Sequence, residues 1–184
     1  MTHPIVVYGS PVLRKMAVDI DRDYEGLSTL IADMFDSMDE SDGMGLAAPQ
    51  IGKSIRLFVT DGSSLVEDDP SMIDFKKVYI NARLIKEEGE PWAFNEGCLS
   101  IPNIREDVMR KPRIRVQYND ENWQFHDEYF EGVKARIIQH EYDHTDGILF
   151  IDRISPIRRK LLKGKLNDIS KGKVKVDYKI KVLK

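Results

Sequence analysis

Two histidines four residues apart enclose a glutamate in His140-Glu141-Tyr142-Asp143-His144. On a helix, residues i and i+4 share one face, so both imidazoles can reach one divalent ion while Glu141 stands beside a water bound to it. A catalytic centre of this kind takes three protein ligands and keeps a fourth position open. Downstream of the pentad there is no further glutamate or histidine. The carboxylates there are Asp146, Asp152, Asp168 and Asp177, and Asp152 is the one close, protease-like third ligand among them. Upstream lies the only cysteine, Cys98, within Glu96-Gly97-Cys98-Leu99-Ser100. As a thiolate it completes a Cys/His/His set. Taken singly, a lone cysteine or a helical histidine is more often packing than ligand; the three together satisfy a ligand count that the pentad alone does not. His3 and His126 are read as non-ligands, His126 as a surface or satisfied histidine on a hairpin.

These side chains need elements to hold them. Val133, Ile137, Ile138 and Tyr142 recur at helical spacing through residues 132–145, with Glu131 near the start and Gly147 just past the end, which predicts the helix that carries the pentad. A second amphipathic helix is predicted over residues 24–38 from Leu27, Leu30, Ile31, Met34, Phe35 and Met38. A third runs over about 155–170, with Pro156 in its first turn and Ile157, Leu161, Leu162, Leu166 and Ile169 on one side. Strands are predicted at 55–60, 78–80 and 114–118, the last turning through Asn119-Asp120-Glu121-Asn122 into 123–129 as a hairpin. The acidic stretch 61–74 reads as a surface excursion. Residues 174–183 alternate apolar with lysine or aspartate, the pattern of a half-buried terminal strand.

The 184 residues are 41% hydrophobic and 32% charged, within the range of one ordinary globular domain spanning 1–184. One cysteine excludes an internal disulfide framework and an all-cysteine metal cage. No apolar run approaches the ~18 residues of a membrane span. The start, Met1-Thr2-His3-Pro4, lacks the basic and apolar regions of a secretory signal, so the expectation is a cytoplasmic protein. The net charge of −3 divides into +9 over residues 158–184 and −12 over 1–157. A basic tail is the kind of surface that meets nucleic acid, but the lysines of 174–183 have a simpler reading as the outer face of a strand.

Three segments together resemble the signature motifs of peptide deformylases: Gly43-Met44-Gly45-Leu46-Ala47-Ala48-Pro49-Gln50, Glu96-Gly97-Cys98-Leu99-Ser100, and Gln139-His140-Glu141-Tyr142-Asp143-His144. They occur in that family's order and spacing, and the similarity runs over nearly the whole chain. The resemblance implies an α+β fold, with mixed and antiparallel β-sheets around a central helix bearing the His-Glu-x-x-His motif. It implies hydrolysis of the N-formyl group from the N-terminal formyl-methionine of newly synthesised proteins, releasing formate, by attack of a metal-bound water. The implied metal is one Fe²⁺ per chain, with Zn²⁺, Ni²⁺ or Co²⁺ able to occupy the site.

Roles follow residue by residue. Cys98, His140 and His144 bind the metal, and Glu141 acts as general base and then general acid. By resemblance, the Gln50 side-chain amide and the Leu99 backbone N–H face the oxyanion. Gly45, lacking a side chain, would let the substrate's main chain approach. Leu46, Ile137, Ile138 and Trp92 are the candidates for an apolar methionine pocket, with the stem of Arg136 at its rim and Arg105 as a partner for the peptide chain. Asp143 and Arg110 are expected to pair and fix the metal helix. The implied partners are N-formyl-methionyl nascent peptides, with transient ribosome contact through the basic C-terminal region, and neither membrane nor DNA. Thr145 replaces the leucine that many members carry after the second histidine, which changes packing and not a ligand. The excursion at 61–74 and the alternating terminal segment, in place of a longer C-terminal helix, are the other departures.

Overall fold

Apolar side chains at Leu27, Leu30, Ile31, Met34 and Met38 form one stripe, and in the computed structural model, which describes residues 1–183, they lie buried along helix α1 (Leu27–Glu40). That stripe packs on a five-stranded antiparallel sheet made of β2 (Gly45–Ala47), β3 (Leu57–Asp61), β4 (Lys76–Glu88), β7 (Arg113–Asn119) and β8 (Phe125–Glu131), in that order across the sheet. The other face of the sheet receives helix α2 (Gly132–Thr145). Side chains alternate between the two faces of a strand. Leu46, Leu57, Val59, Val78 and Ile80 therefore join α1, while Ala47, Phe58, Tyr79, Ile114 and Val116 join Ile137 and Ile138 of α2. Both faces are covered, which is why β3 reads as an unbroken buried run and not as an alternation. Each fully buried large aliphatic or Met side chain here contributes about 1.5–3 kcal/mol.

A hairpin of β5 (Trp92–Cys98) and β6 (Ile101–Arg110) stands beside this sandwich. It supplies Ile101, Ile104 and Val108 to a further apolar cluster with Val6, Leu149, Phe150 and the C-terminal helices. Apolar periodicity alone does not predict this hairpin, because its inward positions include charges. Glu106 and Arg110 are buried on β6 and Glu96 on β5, so the hydrophobic alternation is interrupted where the strand is most constrained.

The α+β class expected from the resemblance is the one observed. Several boundaries differ for identifiable reasons. The excursion at 61–74 folds into two short 3₁₀ turns, Ser63–Leu65 and Pro70–Asp74, anchored by the buried Met72 and Phe75. Trp123 sits in the turn and not in the strand, at a φ of 61°, because the Asp120 carboxylate accepts from the backbone N–H of both Asn122 and Gln124 and prolongs the turn. The helix expected over 155–170 is broken at Leu162 into α3 (Pro156–Leu161) and α4 (Lys163–Ser170). The break lets Leu162, Leu166 and Ile169 turn inward, at the cost of leaving Ile157 and Leu161 exposed on α3.

The terminal strand expected over 174–183 also needs correction. Only β9 (Ile180–Lys181) is strand, paired in parallel with β1 (Ile5–Val6). Residues 174–179 keep the predicted alternation of half-buried and exposed side chains, yet their backbone lies outside any ladder. Among the described residues no helix is long and apolar enough to cross a membrane.

Candidate active site

Helix α2 presents His140 and His144 on one face, as the four-residue spacing requires, and the β5–β6 hairpin brings Cys98 to them. The three ligand atoms lie within 4.8 Å of one another, with Cys98 Sγ 3.3 Å from His144 Nε2. His140 Nδ1 is engaged by Glu96 Oε2 at 3.0 Å, which leaves Nε2 as the nitrogen on the Cys98 side. A thiol and two imidazoles, one of them already oriented by a carboxylate, form a donor set suited to Fe²⁺, Zn²⁺, Ni²⁺ or Co²⁺. Asp152, the alternative third ligand, lies elsewhere: it pairs with Arg14 and Arg159 and accepts the backbone N–H of Leu149 at 2.9 Å.

Glu141 is buried, and its Oε2 has no hydrogen-bond partner. Burial pushes its carboxyl up to about 7, against the opposing pull of His140. Burial also works to keep both imidazoles neutral. In His140 it is outweighed by hydrogen bonds to Cys98 and Glu96, which lift its pKa well above the ordinary value. In His144 burial and the neighbouring His140 act together, and the pKa falls well below it.

Gly45 faces α2 across the sheet, and a Cβ built there would lie 2.6 Å from Glu141 Oε1 and 2.7 Å from its Cγ. The glycine therefore makes room for the carboxylate of the same chain, a different reason from the approach of a substrate. Gln50 is held from the other side. Its Oε1 accepts the backbone N–H of Ala47 at 2.8 Å, which turns Nε2 toward Ser100 Oγ at 3.3 Å and Cys98 Sγ at 3.6 Å. Gly147, just past α2, has a φ of 74°, and a Cβ there would meet the Arg14 carbonyl oxygen at 2.7 Å, so the helix exit admits only glycine comfortably.

Glu96 is the residue that motif reading undervalued. Besides His140 it receives Arg110 (Nε to Oε1 at 2.7 Å, Nη2 to Oε2 at 3.0 Å) and Arg136 (Nη1 to Oε1 at 3.0 Å). Burial would raise its carboxyl, but the hydrogen bonds and charges of His140 and then Arg110 outweigh it and hold the carboxyl well below the usual range. Arg110 also donates to Asp143 Oδ2 at 2.7 Å, the pairing expected from sequence, and Arg153 caps the same aspartate. A buried acid two residues before a ligand cysteine was the available signal, but only its partners give it meaning.

A cleft of about 980 Å³ opens over this group. Gly45, Gln50, Cys98, Leu99, His140 and Glu141 all line it, and Arg105 and Ile137 stand at the same cleft. Arg105 lies across Gly97, with Nε 2.8 Å from Asn95 Oδ1. Leu46, Ile138 and Trp92 do not line it. Leu46 alternates with Gly45 and so points into the core beneath α1, and Ile138 is sealed between α2 and the sheet. Trp92 instead stacks with Arg136, which is itself buried, with its Nη2 donating to the Trp92 carbonyl and its guanidinium centre 4.8 Å from the ring. His126 is satisfied as expected, bonded to Asp120 Oδ2 at 2.9 Å.

Residues 2–160 match the family described as polypeptide deformylase. The peptide deformylase of Christiangramia forsetii is 50% identical over 188 residues, covering 98% of this chain and 96% of that protein. That of Flavobacterium psychrophilum is 47% identical over 190 residues, covering 100% and 98%. Among solved structures, the crystal structure of peptide deformylase from Thermus thermophilus superposes with a TM-score of 0.83 at 39% identity, over 94% of this chain and 99% of that one.

Proposed function

Because the chain belongs to the polypeptide deformylase family, and is by that membership a hydrolase acting on a formyl amide, we propose that it removes the N-formyl group from the N-terminal formyl-methionine of newly synthesised proteins, releasing formate. Cys98, His140 and His144 would hold one divalent ion, Fe²⁺ in this reading, with Zn²⁺, Ni²⁺ or Co²⁺ as substitutes. Such an ion, when bound, supplies Lewis-acid activation of water and of the formyl oxygen.

The protein's own groups do the rest. Glu141 takes the proton from the attacking water and returns it to the departing amine, so that the amide C–N bond breaks to give formate and a free N-terminus. The Gln50 amide, pre-turned by Ala47, and the Leu99 backbone N–H donate to the oxyanion as the carbonyl becomes tetrahedral. Ile137 lines the apolar part of the cleft for the methionine side chain, and Arg105 stands at its rim for the peptide chain. The reaction belongs in the cytoplasm, where formylated chains emerge.

One observation carries this reading: a buried carboxylate with a partnerless oxygen stands beside three gathered ligands at a cleft. Unpaired buried carboxylates are costly, and a site that only stored structure would have satisfied it. The test is formate release from a formyl-Met tripeptide by anaerobically prepared Fe²⁺ protein, alongside Glu141→Ala. Full metal content with no turnover in the parent protein rejects the function; retained turnover in the variant rejects the role of Glu141.

Ribosome contact through the basic C-terminal region is part of the same proposal, in reduced form. Arg158 is committed to Glu106 and Arg159 to Asp152, which leaves Lys160, Lys163 and Lys165 as the cations of α3 and α4 available to phosphate. Co-sedimentation with ribosomes that weakens steeply with salt is expected, and a salt-independent or undetectable interaction refutes it.

A further inference from the structure

The segment at 172–180 forms one wall of the same cleft. Val174, Val176, Tyr178 and Ile180 are half-buried, while Lys175, Asp177 and Lys179 face solvent. The segment is tied down at one point midway and by the short β1–β9 ladder at its end. Asn103 Nδ2 donates to the Lys175 carbonyl at 3.1 Å, and the Ile5 and Val7 N–H groups donate to the carbonyls of Lys179 and Lys181 at 2.8 and 3.1 Å. Tyr178 reaches furthest in. Its ring packs against the α1 core, and its hydroxyl donates to the Leu99 carbonyl oxygen at 2.8 Å.

Leu99 follows Cys98 directly, in the two-residue turn between β5 and β6. Ser100, its neighbour, is fixed by two other contacts: its carbonyl accepts the Tyr8 N–H at 2.8 Å and its hydroxyl accepts from Gln50. Tyr178 donates the hydrogen bond to the Leu99 carbonyl, while the Leu99 side chain packs on the α1 core. The Leu99 carbonyl lies in the Leu99–Ser100 peptide plane, and the Leu99 N–H in the Cys98–Leu99 plane on the other side of its Cα. With Cys98 held by its pairing with Ile101, anchoring the carbonyl ties the turn down on both sides of that Cα and so limits rotation of the plane that carries the Leu99 N–H.

We propose that Tyr178 is a positioning residue for deformylation, reaching from the C-terminal wall of the cleft to hold the Leu99 turn so that the Leu99 N–H stays aimed at the reacting carbonyl. This inference rests on the deformylase reading above and adds to it a residue outside the three motifs. It also makes the C-terminal segment part of the catalytic arrangement, and not only its boundary.

Tyr178→Phe keeps the ring and removes the one hydroxyl. The expected result is a fall in kcat of about three- to tenfold, the worth of one hydrogen bond, with KM within about twofold of the parent. Metal content stays at the parent value, and Tm falls by no more than about 2–4 °C, the cost of one lost hydrogen bond in a chain of this size. Backbone amide exchange at Leu99 and Ser100, measured on the metal-loaded protein, becomes faster. A kcat within about 1.5-fold of the parent, or a loss carried wholly by KM or by a larger fall in Tm, overturns the proposal. Absence of formate release by the parent protein refutes the deformylase reading instead, and unchanged exchange at Leu99 then overturns the Tyr178 contact on its own.

Discussion

Replacing Gly45 by alanine separates two explanations of one residue. Its φ is not in the left-handed region, so alanine meets no backbone penalty and the effect is purely one of contact. The added methyl would sit 2.7 Å from Glu141 Cγ and 2.8 Å from Cδ, where ordinary contact begins at 3.4 Å. Glu141 must therefore retreat by about 0.7 Å (3.4 − 2.7), or β2 must move away from α2. Neither is free: Glu141 is 4% exposed, and the helix that carries it is pinned by Arg110 and Arg153 through Asp143. A misplacement of 1 Å at a reacting group costs on the order of 100-fold, so a fall in kcat of roughly 10- to 100-fold is expected, together with a loss of about 1–3 kcal/mol in stability. KM should change little. Formate release from a formyl-Met tripeptide, with metal content measured on the same sample, reads this out. Gly164→Ala serves as the control, since a Cβ there meets open space within α4, and it should leave kcat unchanged and stabilise by up to about 1 kcal/mol. If Gly45→Ala instead keeps kcat within twofold and raises KM, the glycine serves the approach of the peptide and the packing argument fails.

Glu96→Gln removes the charge shared by Arg110, Arg136 and His140; a loss of roughly 10- to 100-fold in metal affinity and about 3 kcal/mol or more in stability is expected, and an unchanged metal titration would contradict it. Acid should destabilise the fold through Asp152. Its burial, which favours the neutral acid, is outweighed by donors from Arg14 and Leu149, so its folded pKa lies below its unfolded value. Its contribution is complete above about pH 4 and is lost as pH falls from there through the folded value. Thermal unfolding of Asp152→Asn should accordingly show a shallower decline than the parent as pH falls below about 4, and parallel curves would refute the assignment.

Much of the site was legible because its chemistry is local in sequence. The i, i+4 histidines on a periodic helix fix their own geometry, and a missing third ligand pointed back to the only cysteine. What escaped reading depends on partners far along the chain. Glu96 looked like a motif position until Arg110, Arg136 and His140 converged on it. The β5–β6 hairpin escaped apolar periodicity for the same reason, since its buried positions are filled by ions that neutralise one another. Leu46 was placed in the methionine pocket by proximity in sequence, whereas strand alternation turns it away from Gly45. The break at Leu162 reflects competition between continuing a helix and burying three leucine or isoleucine side chains, which the pattern of 155–170 does not decide by itself.

The pairing of β1 with β9 sets an order of events. Ile5 and Val6 are separated from Ile180 and Lys181, their strand partners among the described residues, by about 175 residues of chain. Contacts so distant along the chain form late in folding. The metal helix and the sheet can thus assemble during synthesis, while the cleft wall carrying Tyr178 closes only after residues 174–181 have emerged. The cleft would in this way gain its last wall from residues made well after those that carry Cys98, His140 and His144.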